Sequence, residues 1–168
     1  VRHDVPRMIY ASSFRIYGKH LVGKITEDTR PGEQSDLAHL SKHYVEQLQD
    51  MYAMAYDLTT ISLRFGLVYG LSSVMKTAPQ FMTAPNLFCL RASRGQSLYV
   101  HDTARHATAL VHVDDAARLL AAALDWPLDH GHHVYNAAAE VVSVVEVARL
   151  VQLAAKLRGF EVNLSGPG

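Results

Sequence analysis

The hydrophobic pattern of the chain alternates between short apolar runs and longer segments with helical spacing. The run Arg7–Ser12 has no polar alternation, which predicts a strand that is buried on both faces. Further strands are predicted over residues 59–65, 97–100, 109–113, 133–136 and 160–164. Helices are predicted over residues 35–56, 86–92, 114–124 and 144–158. This order predicts an α/β fold with parallel strand pairing.

The two long helices at either end of this pattern have recognisable termini. Ser35 or Asp36 can cap the first, and Ser143 can cap the last, which ends at Gly159. The first helix carries an apolar stripe at three- and four-residue steps, formed by Leu37, Leu40, Tyr44, Leu48 and Met51. Loops are predicted over residues 17–33, 66–85 and 101–106, which hold glycines and prolines or are polar.

Composition limits the classes of protein to consider. Of 168 residues, 49% are hydrophobic and 19% charged, which excludes a disordered chain and suits one ordinary domain. Lys plus Arg and Asp plus Glu number 16 each, so no basic field favours nucleic acid or an anionic membrane. No apolar run approaches the ~20 residues of a membrane span. A single cysteine, Cys89, and no signal-peptide pattern predict a cytoplasmic protein.

Four short segments carry candidate chemistry. They are Ser12-Ser13 with Tyr17-Gly18 after the first strand, Ser41-Lys42 with Glu46, residues 64–70, and His112-Val113-Asp114-Asp115. A serine at the carboxyl end of a parallel strand can donate to a ligand oxygen, and a helix lysine can hold a ribose hydroxyl. Each segment alone also has a structural explanation. The serines can form a turn, Lys42 can pair with Glu46 across one helical turn, and the aspartates can cap a helix.

Together and in this order, these segments resemble the extended short-chain dehydrogenase/reductase family, the NAD-dependent epimerases and dehydratases of nucleotide sugars. The resemblance runs from Arg7 to about Arg158. Within the family, residues 39–42, 66–70, 86–89 and 95–100 are most similar to the sulfoquinovose-synthase-like branch. The resemblance implies oxidoreductase or isomerase chemistry, in which NAD or NADP exchanges a hydride with a sugar carbon of a nucleotide sugar.

The resemblance also implies that this chain is a C-terminal portion of such an enzyme. It implies a partial Rossmann-like parallel sheet, preceded in the family by a glycine-rich loop and four strands, with a small α/β substrate-binding subdomain. Residues 1–75 would belong to the NAD(P)-binding domain and residues 76–168 mainly to the subdomain, with 107–125 returning to the first. A homodimer through the helix 35–56 is expected as well.

The family's functional positions can be carried over one by one. Ser13 would polarise the substrate hydroxyl or carbonyl, and Lys42 would hold the nicotinamide ribose. The other cofactor positions are Ser12, Phe65 and Leu67, and the other substrate positions are Asn86 and Thr108. We therefore expect the end of the Arg7–Ser12 segment and the Lys42 side chain to lie beside one nicotinamide-sized hollow.

Three departures from the family pattern bear on activity. The family's proton-transferring tyrosine lies four residues before the lysine, where this chain has Ala38, whose methyl group cannot transfer a proton. Thr108 replaces an arginine that meets the substrate diphosphate, and Leu67 replaces an asparagine. The sequence has no Gly-x-x-Gly-x-x-Gly loop to hold the cofactor pyrophosphate.

These departures predict an epimerase/dehydratase-like protein that is inert or very slow as this chain. One alternative is a non-catalytic relative that serves as a binding or oligomerising subunit. Another is that Ala38 is a single substitution, natural or engineered, in an otherwise intact site.

Ten histidines raise the question of a metal site. His39 and His43 lie four residues apart on one helix, and three more fall within residues 130–133. A zinc-binding helix of the His-Glu-x-x-His type needs glutamate after its first histidine, where Leu40 stands here. We therefore predict no metal site and expect these histidines on helix surfaces and in loops.

Overall fold

The computed structural model describes residues 5–18, 21, 23–101 and 106–166. Within them the strands are β1 (Arg7–Ser13), β2 (Thr59–Phe65), β3 (Leu67–Tyr69), β4 (Leu98–Tyr99), β5 (Ala107–His112), β6 (Gly131–Ala137), β7 (Glu140–Ser143) and β8 (Leu164–Ser165). The helices are α1 (Leu37–Tyr56), α2 (Ala84–Ser93), α3 (Val113–Ala122) and α4 (Val144–Lys156). Part of the predicted loop over residues 101–106 lies outside the described residues.

The chain divides into two compact units, Val1–Gly66 with Asp114–Ala138 and Leu67–Val113 with Ala139–Gly168. Strand pairing underlies this division, because β3 pairs with β5 in the second unit while β6 returns to pair with β2 in the first. The predicted division at residue 75 into an NAD(P)-binding domain and a substrate-binding subdomain, with 107–125 returning to the first, stays a prediction. Which unit binds cofactor and which binds substrate stays a prediction.

The first unit is built on a three-stranded parallel sheet in the order β1-β2-β6. Every residue of the central strand β2 is buried, and Ile61 and Leu63 have no exposed surface. Helix α1 connects β1 to β2 and contacts all three strands. A parallel sheet with its central strand buried on both faces confirms the predicted α/β class.

Helix α1 lies on the sheet through a polar face. Its cap is Asp36, whose side chain accepts a hydrogen bond from the backbone N–H of His39. The buried residues of the helix are Glu46, Gln49 and Ala53. Most of the apolar stripe identified in the sequence is exposed instead, with Leu37 at 82%, Leu40 at 51%, Tyr44 at 58% and Met51 at 50%. The stripe therefore does not form the core of this unit.

The second unit combines a sheet in the order β3-β5-β7 with the parallel pair β4-β8. Its core lies among helices α2 and α4 and these strands and includes Phe88, Leu98, Leu110, Val147 and Ala148. The sequence pattern missed β3 and β7, which are only three and four residues long, and β7 pairs antiparallel with β5. In place of the last predicted strand, over residues 160–164, the structure has a two-residue strand at Leu164–Ser165.

Arg7 at the start of β1 stabilises the short segment directly after α3. Its guanidinium donates to the backbone oxygens of Ala123 at 3.0 Å, Leu124 at 2.6 Å and Trp126 at 2.7 Å. Carbonyls at the end of a helical segment lack the amide donors of a following turn, and a cationic side chain can hydrogen-bond them. We expect Arg7→Met to lower the free energy of unfolding by about 1–3 kcal/mol in urea titrations. The control Arg15→Met, at an exposed position, should change it by less than about 0.5 kcal/mol.

Candidate functional site

Two adjacent serines at the carboxyl end of β1 have different environments. Ser12 is 4% exposed and its hydroxyl donates to Glu46 Oε1 at 2.5 Å. The Ser13 oxygen accepts from the backbone N–H of Arg15 at 3.2 Å and caps the 3₁₀ turn Phe14–Tyr17. That bond uses a lone pair of the Ser13 oxygen and leaves its O–H able to donate. Of the two serines, only Ser13 is placed to contact a ligand.

Lys42 lies against the same strand end. Its ammonium group donates to the backbone oxygen of Ala11 at 2.6 Å, and its Nζ lies 4.7 Å from the centroid of the Tyr10 ring. The Lys42–Glu46 pair considered from the sequence is replaced by these contacts, because Glu46 pairs with Arg64. The structure therefore brings Lys42 onto the backbone of β1 two residues before Ser13.

A buried ion pair lies beneath this strand end. Arg64 Nη2 donates to Glu46 Oε2 at 2.7 Å, and Arg64 Nε lies 3.1 and 3.2 Å from the two carboxylate oxygens. Arg64 Nη1 donates to the Tyr17 hydroxyl at 2.6 Å, and that hydroxyl donates to Asn136 Oδ1 at 2.7 Å. Arg64 and Glu46 are each 7% exposed. Sequence reasoning placed Arg64 in a motif but gave it no role.

The position of the missing tyrosine is open to solvent. Ala38 is exposed in the first turn of α1, and its backbone oxygen accepts from the Ser41 hydroxyl at 2.9 Å. Tyr10, beside Lys42, is an aromatic hydroxyl that the sequence pattern assigned only to a buried strand. Burial raises the pKa of Tyr10, and the nearby Glu46 charge raises it further. Tyr10 therefore stays protonated at neutral pH and is not suited to act as the base.

The side chains at two further predicted cofactor positions are buried or half-buried. Phe65 is 6% exposed and lies in register with Ser13 on one side and Ala137 on the other. Leu67 begins β3 in the second unit and packs half-buried against the core of that unit. Phe65, like Ser12, is therefore placed to shape the sheet rather than to present its side chain to a cofactor.

The other two predicted substrate positions, Asn86 and Thr108, lie in the second unit. The Asn86 amide holds the turn after β3, because its Oδ1 accepts from Gly70 N at 2.9 Å and its Nδ2 donates to Gly70 O at 3.2 Å. Gly70 has a φ of +114°, and a Cβ there would lie 2.4 Å from Nε2 of His112. Asn86 also lines a cavity of about 510 Å³. Thr108 is half-buried on β5, opposite Val142 of β7.

The histidines near residue 130 are only partly as predicted. His130 is exposed, and His133 lies in a strand as the predicted strand 133–136 has it, but β6 begins at Gly131 and so includes His132 as well. Within the described residues, no group of three or more histidine, cysteine or acidic side chains is placed to hold a metal ion. His132 is half-buried, and its Nδ1 lies 2.9 Å from the Thr60 hydroxyl.

We expect the stability of the first unit to fall in mild acid because of His132. Burial lowers the pKa of His132, against the opposing charges of Asp50 and Glu46. The unfolded chain then binds a proton at about pH 6.5 that the folded chain resists, so stability is lost as the pH falls below that value. Urea titrations between pH 7.5 and 5.5 should show this loss, and His132→Gln should reduce it. If His130→Gln reduces the loss as much, His132 is not its source.

The comparisons with known proteins place this chain in a family. Residues 1–138 match the model of the NAD dependent epimerase/dehydratase family, and the chain belongs to that family. A search of curated proteins gives no match.

Solved structures of sugar-nucleotide enzymes share the fold. UDP-glucose 4-epimerase from Thermotoga maritima, solved with UDP-glucose, superposes with a TM-score of 0.77 at 22% identity over 98% of this chain and 52% of its own. The Thermus thermophilus UDP-glucose 4-epimerase complex with NAD gives 0.76 at 26% identity over 97% and 52%. UDP-glucuronic acid 4-epimerase from Bacillus cereus, with UDP-glucuronic acid and NAD, gives 0.80 at 19% identity over 98% and 49%.

The chain spans about half the length of these solved structures. Over the matched half, the superpositions show that the fold is the same, and the predicted Rossmann-like architecture is confirmed. Among the helices of the described residues, none has both the length and the apolar character that crossing a bilayer requires.

Proposed function

We propose that the first unit holds the nicotinamide end of NAD at the carboxyl end of β1. The observation that carries this proposal is the contact of the Lys42 ammonium with the Ala11 oxygen at 2.6 Å, two residues before Ser13. An ammonium has three N–H donors, so two remain to bind ribose hydroxyls. The Ser13 O–H donates to the oxygen of the substrate carbon that exchanges hydride. NAD, when bound, supplies the hydride acceptor.

The residues present fit one end of this cofactor. Lys42 and Ser13 supply the donors that a ribose and a substrate hydroxyl need. The pyrophosphate needs a glycine-rich turn before a helix, and the sequence has no such motif. We therefore propose NAD binding through the nicotinamide half, with affinity well below that of a two-sided site.

The substrate in this proposal is a nucleotide sugar. Family membership and the neighbours solved with UDP-glucose or UDP-glucuronic acid support this class. Residues 66–70 and 95–100 support the sulfoquinovose-synthase-like branch within the family, and the single cysteine supports a cytoplasmic location. NAD rather than NADP is proposed, because several neighbours were crystallised with NAD.

The proton step is the weak point of this site. Ala38 carries no proton donor or acceptor in its side chain, and the raised pKa of Tyr10 keeps its hydroxyl protonated. We therefore propose that the chain binds cofactor but transfers hydride slowly or not at all.

The binding proposal is tested by titrating the protein with NAD⁺ and following ligand signals by saturation-transfer NMR. Lys42→Met should weaken binding at least about tenfold, because a charge-assisted donor to the ribose is lost. Lys24→Met, at an exposed position in the same unit, serves as the matched control. If NAD⁺ at millimolar concentration does not bind, or if the two variants bind equally, the proposed function is wrong.

A second candidate function, an oligomerising subunit, is favoured by the exposed stripe of α1. Leu37, Leu40 and Tyr44 are more than half exposed on one helix whose opposite face already covers the sheet. Contiguous exposed apolar surface of this kind is typical of an interaction site. We propose that two copies of the chain pair through these helices, burying the stripe of each against the other.

We expect the chain to sediment as a dimer at micromolar concentration. Leu40→Glu should shift it to a monomer, because the interface would then bury an unpaired carboxylate. Gln96→Glu, which adds the same charge at an exposed position outside α1, is the control and should leave the dimer intact. A monomeric wild-type chain in analytical ultracentrifugation would contradict this proposal.

A further inference from the structure

The hydrogen-bond network behind β1 suggests a role for Glu46 that family membership does not assign. We propose that Glu46 is a positioning residue that holds the strand end bearing Ser13 against the helix turn bearing Lys42. Its meaning for ligand binding rests on the proposed function above. The contact of Glu46 with the strand end is a property of the protein without ligand.

One face of α1 contacts two consecutive residues of β1. Lys42 donates to the backbone oxygen of Ala11 at 2.6 Å, and Glu46, one helical turn later, accepts from the Ser12 hydroxyl at 2.5 Å. Residues four apart on a helix lie on the same face, so the two side chains reach the strand together. The strand end therefore cannot slide along the helix without breaking both bonds.

Arg64 fixes the orientation of the Glu46 carboxylate. It lies in register with Ser12 on β1 and with Asn136 on β6, so the three side chains belong to one row across the sheet. The bonds from Nη2 and Nε of Arg64 leave the Glu46 carboxylate little freedom to rotate toward Lys42.

The same pair also anchors the chain on the far side of Ser13. Arg64 Nη1 donates to the Tyr17 hydroxyl at 2.6 Å, at the end of the turn that Ser13 caps. Glu46 thus holds Ser12 just before Ser13, and Arg64 holds Tyr17 just after its turn. The segment between the two anchors is the one that presents the Ser13 hydroxyl.

Stability alone is a weak reason for burying these charges. Glu46 and Arg64 are each 7% exposed, and replacing such a pair by apolar residues of similar volume is often neutral or stabilising. Fixing a local geometry is a documented use of buried ion pairs. Here the geometry that the pair fixes includes Ser13 and Lys42, the two side chains that the proposed function requires.

Two serine substitutions separate positioning from ordinary stability. Ser12→Ala removes the bond to Glu46. Ser62→Ala removes a closely similar bond, in which the buried Ser62 hydroxyl donates to Gln49 Oε1 at 2.6 Å one turn further along α1. The two variants delete the same atom at buried positions beneath the same helix and should lose similar stability.

Only Ser12→Ala should disturb the strand end. We expect it to move the backbone NMR signals of Ala11, Ser13 and Arg15 and to weaken the binding of nicotinamide mononucleotide at least about fivefold. Ser62→Ala should leave those signals in place and change the affinity less than about twofold. Glu46→Gln keeps an oxygen that can accept from Ser12 but removes the negative charge that pairs with Arg64. It should also move these signals and weaken binding, as Ser12→Ala does.

The outcomes distinguish this inference from the proposed function. If nicotinamide mononucleotide does not bind the wild-type chain, the proposed function fails, and the NMR signals of Ala11 and Ser13 still decide the positioning role. If Ser62→Ala shifts those signals as much as Ser12→Ala does, Glu46 has only a structural role and the inference is overturned. Should Glu46→Gln not fold, the two serine variants decide the matter.

Discussion

Arg64→Met is expected to lower the free energy of unfolding of the first unit by about 3–5 kcal/mol. The substitution leaves the Glu46 carboxylate buried at 7% exposure without its cationic partner. The tyrosine hydroxyl that Arg64 holds at 2.6 Å also loses its donor. The single tryptophan, Trp126, packs edge-to-face on Tyr135 in the same unit, so urea unfolding can be followed by its fluorescence.

The double variant Glu46→Met with Arg64→Met tests the cause of this loss. Removing both charges removes the uncompensated carboxylate, so the double variant should regain more than half of the stability lost in Arg64→Met. The positional role predicts that this stable double variant still fails to hold Ser13 in place. If the stability losses of the two single substitutions simply add in the double variant, burial of a lone charge is not what destabilises Arg64→Met.

The alternation of apolar runs and helical segments predicted most of the fold. It located β1, α1 and β2, because unbroken apolar or β-branched runs and a long capped helix have strong local signals. The predicted burial of β1 on both faces is wrong, because β1 is an edge strand of its sheet and exposes Met8 and Ala11. It missed β3 and β7, since strands of three and four residues are too short to show a period.

Helix α1 shows what periodicity leaves undetermined. The stripe of apolar residues is present as predicted, but the face toward the sheet carries Glu46 and Gln49. A helical period identifies which residues share a face and says nothing about what that face contacts. Hydroxyl and guanidinium groups on β1 and β2 donate to the Glu46 carboxylate and the Gln49 side-chain oxygen, and only the three-dimensional pairing reveals these contacts.

The candidate site was predictable only in part. Family motifs pointed to Ser13 and Lys42, and the structure places both at one end of β1. The contact between Arg64 and Glu46 joins residues far apart in sequence, so spacing along the helix suggested Lys42 as the partner of Glu46 instead. Tyr10 was hidden for the same reason, because its place beside Lys42 depends on how α1 crosses the sheet.

Ala38→Tyr is expected to restore a phenol in the environment that the proton step requires. Position 38 is exposed and lies one turn before Lys42 on α1, so a larger side chain can be accommodated there. A cation nearby favours the phenolate, so the introduced tyrosine should titrate below the ordinary pKa of about 10. Absorbance near the phenolate band during alkaline titration, read against the parent chain, measures this.

The same substitution tests whether the absence of this tyrosine is what makes hydride transfer slow. In a polypeptide that also carries a glycine-rich NAD-binding half, Ala38→Tyr should raise the rate of hydride exchange with a nucleotide sugar by about 10²–10⁴, the range of general acid–base catalysis. Adding Lys42→Met should abolish the gain in rate and return the pKa of the introduced tyrosine to its ordinary value. A phenol that titrates low without any gain in rate would mean that the remaining residues of the site no longer support hydride transfer, which would favour the binding or oligomerising subunit over an impaired enzyme.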